Sequence, residues 1–305
     1  MSAGRQGERQ AQGASLPGGA RAAGGARPGA GAARRAGRWS FSLVAGVVIV
    51  AALLAIFAAS LFWTPYDPDA MQPTQRFAAA SLAHPFGTDQ YGRDIASRVM
   101  AATHSALAVG LGSVLLGAAV GTLVGCAAAL SRGVTRAVLM RLVDGLMAFP
   151  GVLLALMLVL VMGRGLAGAL VAIATFMVPT FARLAYSLAM EELGSTWAKA
   201  ARSYGCSGMR LMCAQLLPCM APRIVTQLSS AVGGAMLLES SLSFLGLGVQ
   251  PPTASWGMML NEALRYVTSY PGVAVAPGLA LMLAVLGFNL LGDGLNDRLV
   301  RGGSR

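Results

Sequence analysis

The sequence predicts an all-α polytopic membrane protein: six transmembrane helices with a charged helical loop at the cytoplasmic face. Three observations predict it. The 305 residues are 55% hydrophobic and 11% charged with a mean hydropathy of +0.63, more apolar than a water-surrounded core requires. Apolar runs of about 20 residues, the length that crosses a hydrocarbon layer, recur along the chain. The net charge of +11 lies in the N-terminal tail and in short connections between those runs, which is the signature of membrane topology rather than of nucleic-acid binding.

Taken in order, Met1 to Arg38 is Gly, Ala and Arg with almost no apolar content. It cannot bury a core and reads as a disordered basic cytoplasmic tail. Residues 39–63 form the first apolar span, expected to be a retained anchor, although Ala58-Ala59-Ser60 leaves signal-peptide cleavage open. Residues 64–102 are a polar extracytoplasmic segment punctuated by Pro65, Pro68, Pro73 and Pro85. Near its end a turn leads into a short helix capped at Asp94, with Asp94 and Arg98 at i, i+4.

The core follows over 103–297. Its first span, to Leu130, carries Ser113, Gly117, Gly121 and Gly125 four apart, a small-residue stripe that lets a neighbouring helix approach, or else faces solute. A basic turn with Arg132, Arg136 and Arg141 precedes a span over 142–162, in which Asp144 is expected to pair with Arg141 unless it serves transport. The turn Gly163-Arg164-Gly165 leads to a span over 166–190 containing Pro179.

Residues 191–218 are the polar interruption. Ser195 or Thr196 can cap a helix whose Trp197, Ala200, Ala201 and Tyr204 share one face, and Gly205 supplies a left-handed stop. A second short helix starts at Ser207, carries Met209, Met212 and Leu216, and ends at Leu217-Pro218. Periodicity alone leaves two readings open, an interfacial helix without a partner or a docking element.

The span over 222–248 is unusually polar. Gln227, Glu239, Ser240 and Ser243 cannot face lipid, so they either hold the bundle together or line the solute route. A last span, 271–291, precedes a cytoplasmic C-terminal tail at 298–305. With the N-terminal tail inside, Arg132, Arg136, Arg183, Lys199, Arg202 and Arg223 are also inside. Only Arg76, Arg93, Arg98, Arg164 and Arg265 are outside, which puts both termini and the 191–218 helices in the cytoplasm.

Cys126, Cys206, Cys213 and Cys219 lack zinc-site spacing and read as free structural thiols, and with only His84 and His104 no metal site is expected. The sole lysine, Lys199, follows Ala198, so the chain has no phosphate-binding G-x-x-x-x-G-K loop. No catalytic motif is present either, and the chain is expected not to be an enzyme.

Four stretches resemble one family. They are His84-Pro85-Phe86-Gly87-Thr88-Asp89 with Gly92-Arg93-Asp94, the Ala200-Ala201…Gly205…Leu217-Pro218 run, Leu242 to Gly248 with Pro251-Pro252 and Ser255-Trp256-Gly257, and Phe288 to Asp297. Together they are similar to the C-type permease subunit of dipeptide, oligopeptide and nickel ABC importers. Lys199 stands where the family's "EAA" loop usually has glutamate, and Asn296 replaces an arginine.

The resemblance implies a bacterial inner-membrane protein whose partners are a homologous B-type permease, two ATPase subunits and an extracytoplasmic solute-binding protein. It implies that no cofactor binds this chain, with ATP and Mg on the ATPases. It also implies that Trp197, Ala200, Ala201, Gly205, Ser207, Leu217 and Pro218 couple to them. The competing class is a secondary transporter driven through Glu239 or Asp144, for which inverted repeats are not evident.

Overall fold

The computed structural model describes residues 41–302. The expected tail over 1–38 lies outside them. Among the described residues the secondary structure is helical, with one isolated bridge between Thr88 and Asp94. Four helices are long and apolar enough to cross a membrane: α1 (Phe41–Phe62), α2 (Ile95–Leu130), α5 (Leu166–Leu193) and α10 (Gly272–Gly302).

The other two expected spans differ. The run at 142–162 is a pair, α3 (Gly133–Met147) and α4 (Gly151–Met162), bent by 95°. The break falls at Ala148-Phe149-Pro150, where proline excludes helical geometry from the residue before it and cannot donate to the preceding turn. Alone, α4 is about 18 Å long, short of a hydrocarbon layer. Helix α8 (Leu217–Phe244) has the same 28 residues as α5 but is too polar to qualify as an apolar span. The count of six therefore requires both a bent pair and a polar helix to cross.

The expected short helix at Asp94 is no separate element. Asp94 Oδ2 accepts from Ser97 N at 2.8 Å and Ser97 Oγ at 2.7 Å, and α2 runs on unbroken for 36 residues. Arg98 does not reach Asp94; it is buried 3.6 Å from Asp69 and 3.9 Å from Asp89. Asp144 pairs with Arg183 rather than with Arg141, because α3 packs beside α5 and presents Asp144 across the helix pair.

The scaffold is joined by close helix crossings. At the α2–α5 crossing, a Cβ at Gly117, Gly121 or Gly125 would lie 2.7, 2.4 or 2.2 Å from the carbonyl oxygens of Ala174, Val178 and Ala182. Only a residue without a side chain permits that approach. Helices α1 and α10 meet the same way, with Gly46 against the Leu291 backbone and Gly294 against Leu43. Among the described residues the remaining short helices are α6 (Thr196–Ser203) and α7 (Gly208–Leu211) at one end of the bundle, with a π-turn after α7, α9 (Trp256–Leu264) at the other, and a 3₁₀ turn at Pro73–Gln75.

Candidate functional site

The loop end is built from local signals. Ser195 Oγ accepts from Ala198 N at 3.4 Å and caps α6. Gly205, at φ +78°, ends the helix while Cys206 N reaches back to Ala201 O at 3.1 Å. Ser207 Oγ then accepts from Arg210 N at 3.4 Å and caps α7.

The second helix does not stop at Leu217-Pro218. A π-turn over Met212–Leu216 carries the chain straight into α8, with Pro218 in its first turn. The missing N–H of a proline is harmless in a first turn. The loop is thereby continuous with a long helix.

Burial divides the loop sharply. Leu211, Met212 and Leu216 pack with Met220, Cys126, Ala185 and Leu193 into a small apolar cluster, and Ala198 is fully buried as well. The face expected to hold Trp197, Ala200, Ala201 and Tyr204 turns mostly outward. Ala201 touches the cluster, whereas Trp197, Ala200 and Tyr204 are exposed, Tyr204 at 91%. Met209 is 67% exposed beside them, and Ser207, Gly205 and Pro218 are exposed as well. Leu217 is half-buried. Trp197 Nε1 donates to Glu192 Oε2 at 3.2 Å, which fixes the indole while leaving its ring outward.

Along α8, hydroxyls are spent on the helix itself. Thr226, Ser229 and Ser241 donate to the carbonyls of Pro222, Val225 and Leu237 four residues back, which lets so polar a helix sit in an apolar bundle. Glu239 is fully buried and accepts from Ser243 Oγ at 2.7 Å, Ser255 Oγ at 3.0 Å and Ser240 Oγ at 3.3 Å. Ser240 and Ser243 are buried with it, while Gln227 lies three turns away and is half-buried. The four polar residues singled out in the sequence are therefore not one group. Three form a sealed knot that ties α8 to the residue preceding α9.

The opposite end holds a cluster that the sequence reading missed. Arg93 Nε donates to Asp89 Oδ2 at 2.6 Å and its Nη2 to Glu262 Oε2 at 2.8 Å; Gln90 Nε2 donates to the same Glu262 oxygen at 3.1 Å. Arg98 lies alongside, fully buried. Glu262 belongs to α9, whose signal was legible: Ser255 preceding Trp256, Met259 and Ala263 at i, i+3, i+7. Trp256 Nε1 donates to Val99 O at 3.1 Å, Ser105 Oγ to Ala254 O at 2.8 Å, and Asn261 Nδ2 to Phe244 O at 2.7 Å. This short helix is bonded to both α2 and α8.

The architecture is that of an all-helical membrane protein in which a polar long helix, α8, is joined to a short helix pair that turns Trp197, Tyr204 and Met209 outward. Residues 121–304 match the family described as "Binding-protein-dependent transport system inner membrane component", and the chain belongs to that family, in the branch of dipeptide and oligopeptide importers. It is similar to the glutathione transport system permease protein GsiD of Pectobacterium atrosepticum, 41% identical over 269 residues covering 87% of this chain and 88% of the relative. It is 42% identical over 268 residues to the proteins of that name from Escherichia coli O6:K15:H31 and Shigella boydii, with the same coverage.

Proposed function

We propose that the chain is one permease half of an ATP-driven importer carrying glutathione, another di- or oligopeptide, or a related small solute such as nickel across the inner membrane. It would pair with a homologous B-type permease and two ATPase subunits that hold ATP and Mg, and receive solute from an extracytoplasmic binding protein. Both termini and the α6–α7 loop are cytoplasmic in this reading, in keeping with the arginine distribution.

The observation that carries it is the joint between loop and bundle. The helix pair turns Trp197, Tyr204 and Met209 outward; α7 is helically continuous through the π-turn with α8, and α6 joins it through the short turn at Gly205. A partner gripping Trp197, Ala200, Ala201, Gly205, Ser207, Leu217 and Pro218 would swing α8 as a lever. Differential grip in the ATP-bound and ATP-free states is what such a cycle requires. The relatives' names support the substrate class.

The test is uptake by the reconstituted assembly. ATP-dependent accumulation of glutathione or peptide that Gly205→Asp abolishes, with the protein still in the membrane, is expected. Normal uptake together with normal ATPase co-purification in that variant counts against the reading, and so does accumulation by this chain alone.

A further inference from the structure

The geometry points to α9 as a relay, with Glu262 and Ser255 as positioning residues that carry docking of the extracytoplasmic binding protein at the Tyr91 surface to α8. This rests on the permease reading above. At the far end of the bundle from α6–α7, Tyr91 is 46% exposed, and the guanidinium carbon of Arg93 lies 4.6 Å from its ring centroid, a cation–π distance. Phe86, 50% exposed, is close in sequence. Exposed aromatics on a turn-rich segment outside the membrane are what a protein partner buries best.

What lies beneath Tyr91 is rigid and charged. Arg93 is held by Asp89 and by Glu262, with side-chain exposures of 6%, 5% and 21%. Charge-assisted bonds at low exposure are short and directional, so a shift of Arg93 is a shift of Glu262. The α9 helix from Trp256 to Glu262 then connects Glu262 to Ser255, which donates to Glu239 in α8. At Gly257, α9 lies so close to α8 that a Cβ would fall 2.0 Å from Ser240 O. Helix α8 in turn runs into the α6–α7 loop. The path from Tyr91 to the loop thus runs through a cation–π contact, side-chain hydrogen bonds, helix and a backbone contact.

The experiment uses the full assembly in nanodiscs and reads ATP hydrolysis with and without the cognate binding protein presented with glutathione and, separately, a dipeptide mixture. Glu262→Gln and Ser255→Ala are expected to keep basal hydrolysis while losing about tenfold of the stimulation by the binding protein, the scale of an ordinary allosteric coupling. Tyr91→Ala is expected to weaken binding-protein association. Glu262→Asp, which keeps a carboxylate on α9 for Arg93 and Gln90, is expected to retain stimulation, which sets loss of the charge apart from a merely structural loss. Wild-type stimulation in Glu262→Gln, or a Glu262→Asp variant that assembles but is as unstimulated as Glu262→Gln, overturns the relay. A wild-type assembly that no loaded binding protein stimulates instead overturns the importer reading itself.

Discussion

The two ends of α8 are built in opposite ways. At the α9 end, Glu239, Ser243, Ser255 and Trp256 are all buried, and each polar side chain there is bonded to another element or to its own turn. At the loop end, Trp197, Tyr204 and Met209 stand exposed, and the hydrogen bonds are mostly caps within single turns. A buried carboxylate with three donors fixes one arrangement, because any displacement strands it in an apolar interior. Capped short helices with an outward apolar face have little holding them to one position. One end is therefore a fixed joint and the other a handle.

Glycine gives the sharpest contrast. Gly257 sits in backbone contact with Ser240, so Gly257→Leu must pry α9 from α8. The expected cost is about 3 kcal/mol, the upper range for overpacking, read as a fall in thermal unfolding temperature in detergent. A variant as stable as the wild type would show that the α8–α9 joint is loose. Next in size is Glu239→Ala, which leaves the hydroxyls of Ser240, Ser243 and Ser255 without their shared acceptor. About 2 kcal/mol is expected, within the range for stranding buried polar groups, and less for Glu239→Gln, whose amide oxygen still accepts. Equal unfolding temperatures for the two variants would contradict the three-donor account.

At the handle the same kind of change should cost less. A Cβ on Gly205 would meet nothing within 4 Å, and only its φ of +78° resists a side chain. Gly205→Ala is accordingly expected to cost about 1 kcal/mol, the left-handed penalty alone. A loss as large as that of Gly257→Leu would mean that the loop is packed as tightly as the joint.

Sequence and structure agree where the cause is local. Ser195, Ser207 and Asp94 cap the helices they precede, Gly205 ends α6, and the Gly117, Gly121, Gly125 stripe lies in the α2–α5 crossing. These follow from propensity and spacing that one helix displays by itself. What was not legible depends on partners distant in the chain. Arg93 meets Glu262 across 169 residues, and Asp144 meets Arg183 across 39 where the nearer Arg141 was expected; Arg98, expected beside Asp94, lies near Asp69 and Asp89 instead. The 95° bend had a local signal in Pro150, yet a stretch from Leu142 to Met162 that is apolar but for Asp144 concealed it. Glu239 reads identically in sequence whether it lines a route or fastens a joint; the serines around it, one from beyond the helix, show the carboxylate enclosed.

The smallest expected effect on stability goes with a large one on function. Trp197→Ala and Tyr204→Ala remove side chains that are 36% and 91% exposed, and surface substitutions of this kind shift stability by no more than about 0.5 kcal/mol. If the outward face is where an ATPase grips, the pair of substitutions should leave unfolding temperature and membrane yield unchanged while abolishing ATPase co-purification. The inverse result, intact co-purification with a lower unfolding temperature, would make the face part of the fold and would erase the difference between the two ends of α8. Ala198→Leu is the control that separates these cases. Ala198 is fully buried, so the substitution should lower stability while changing no exposed side chain.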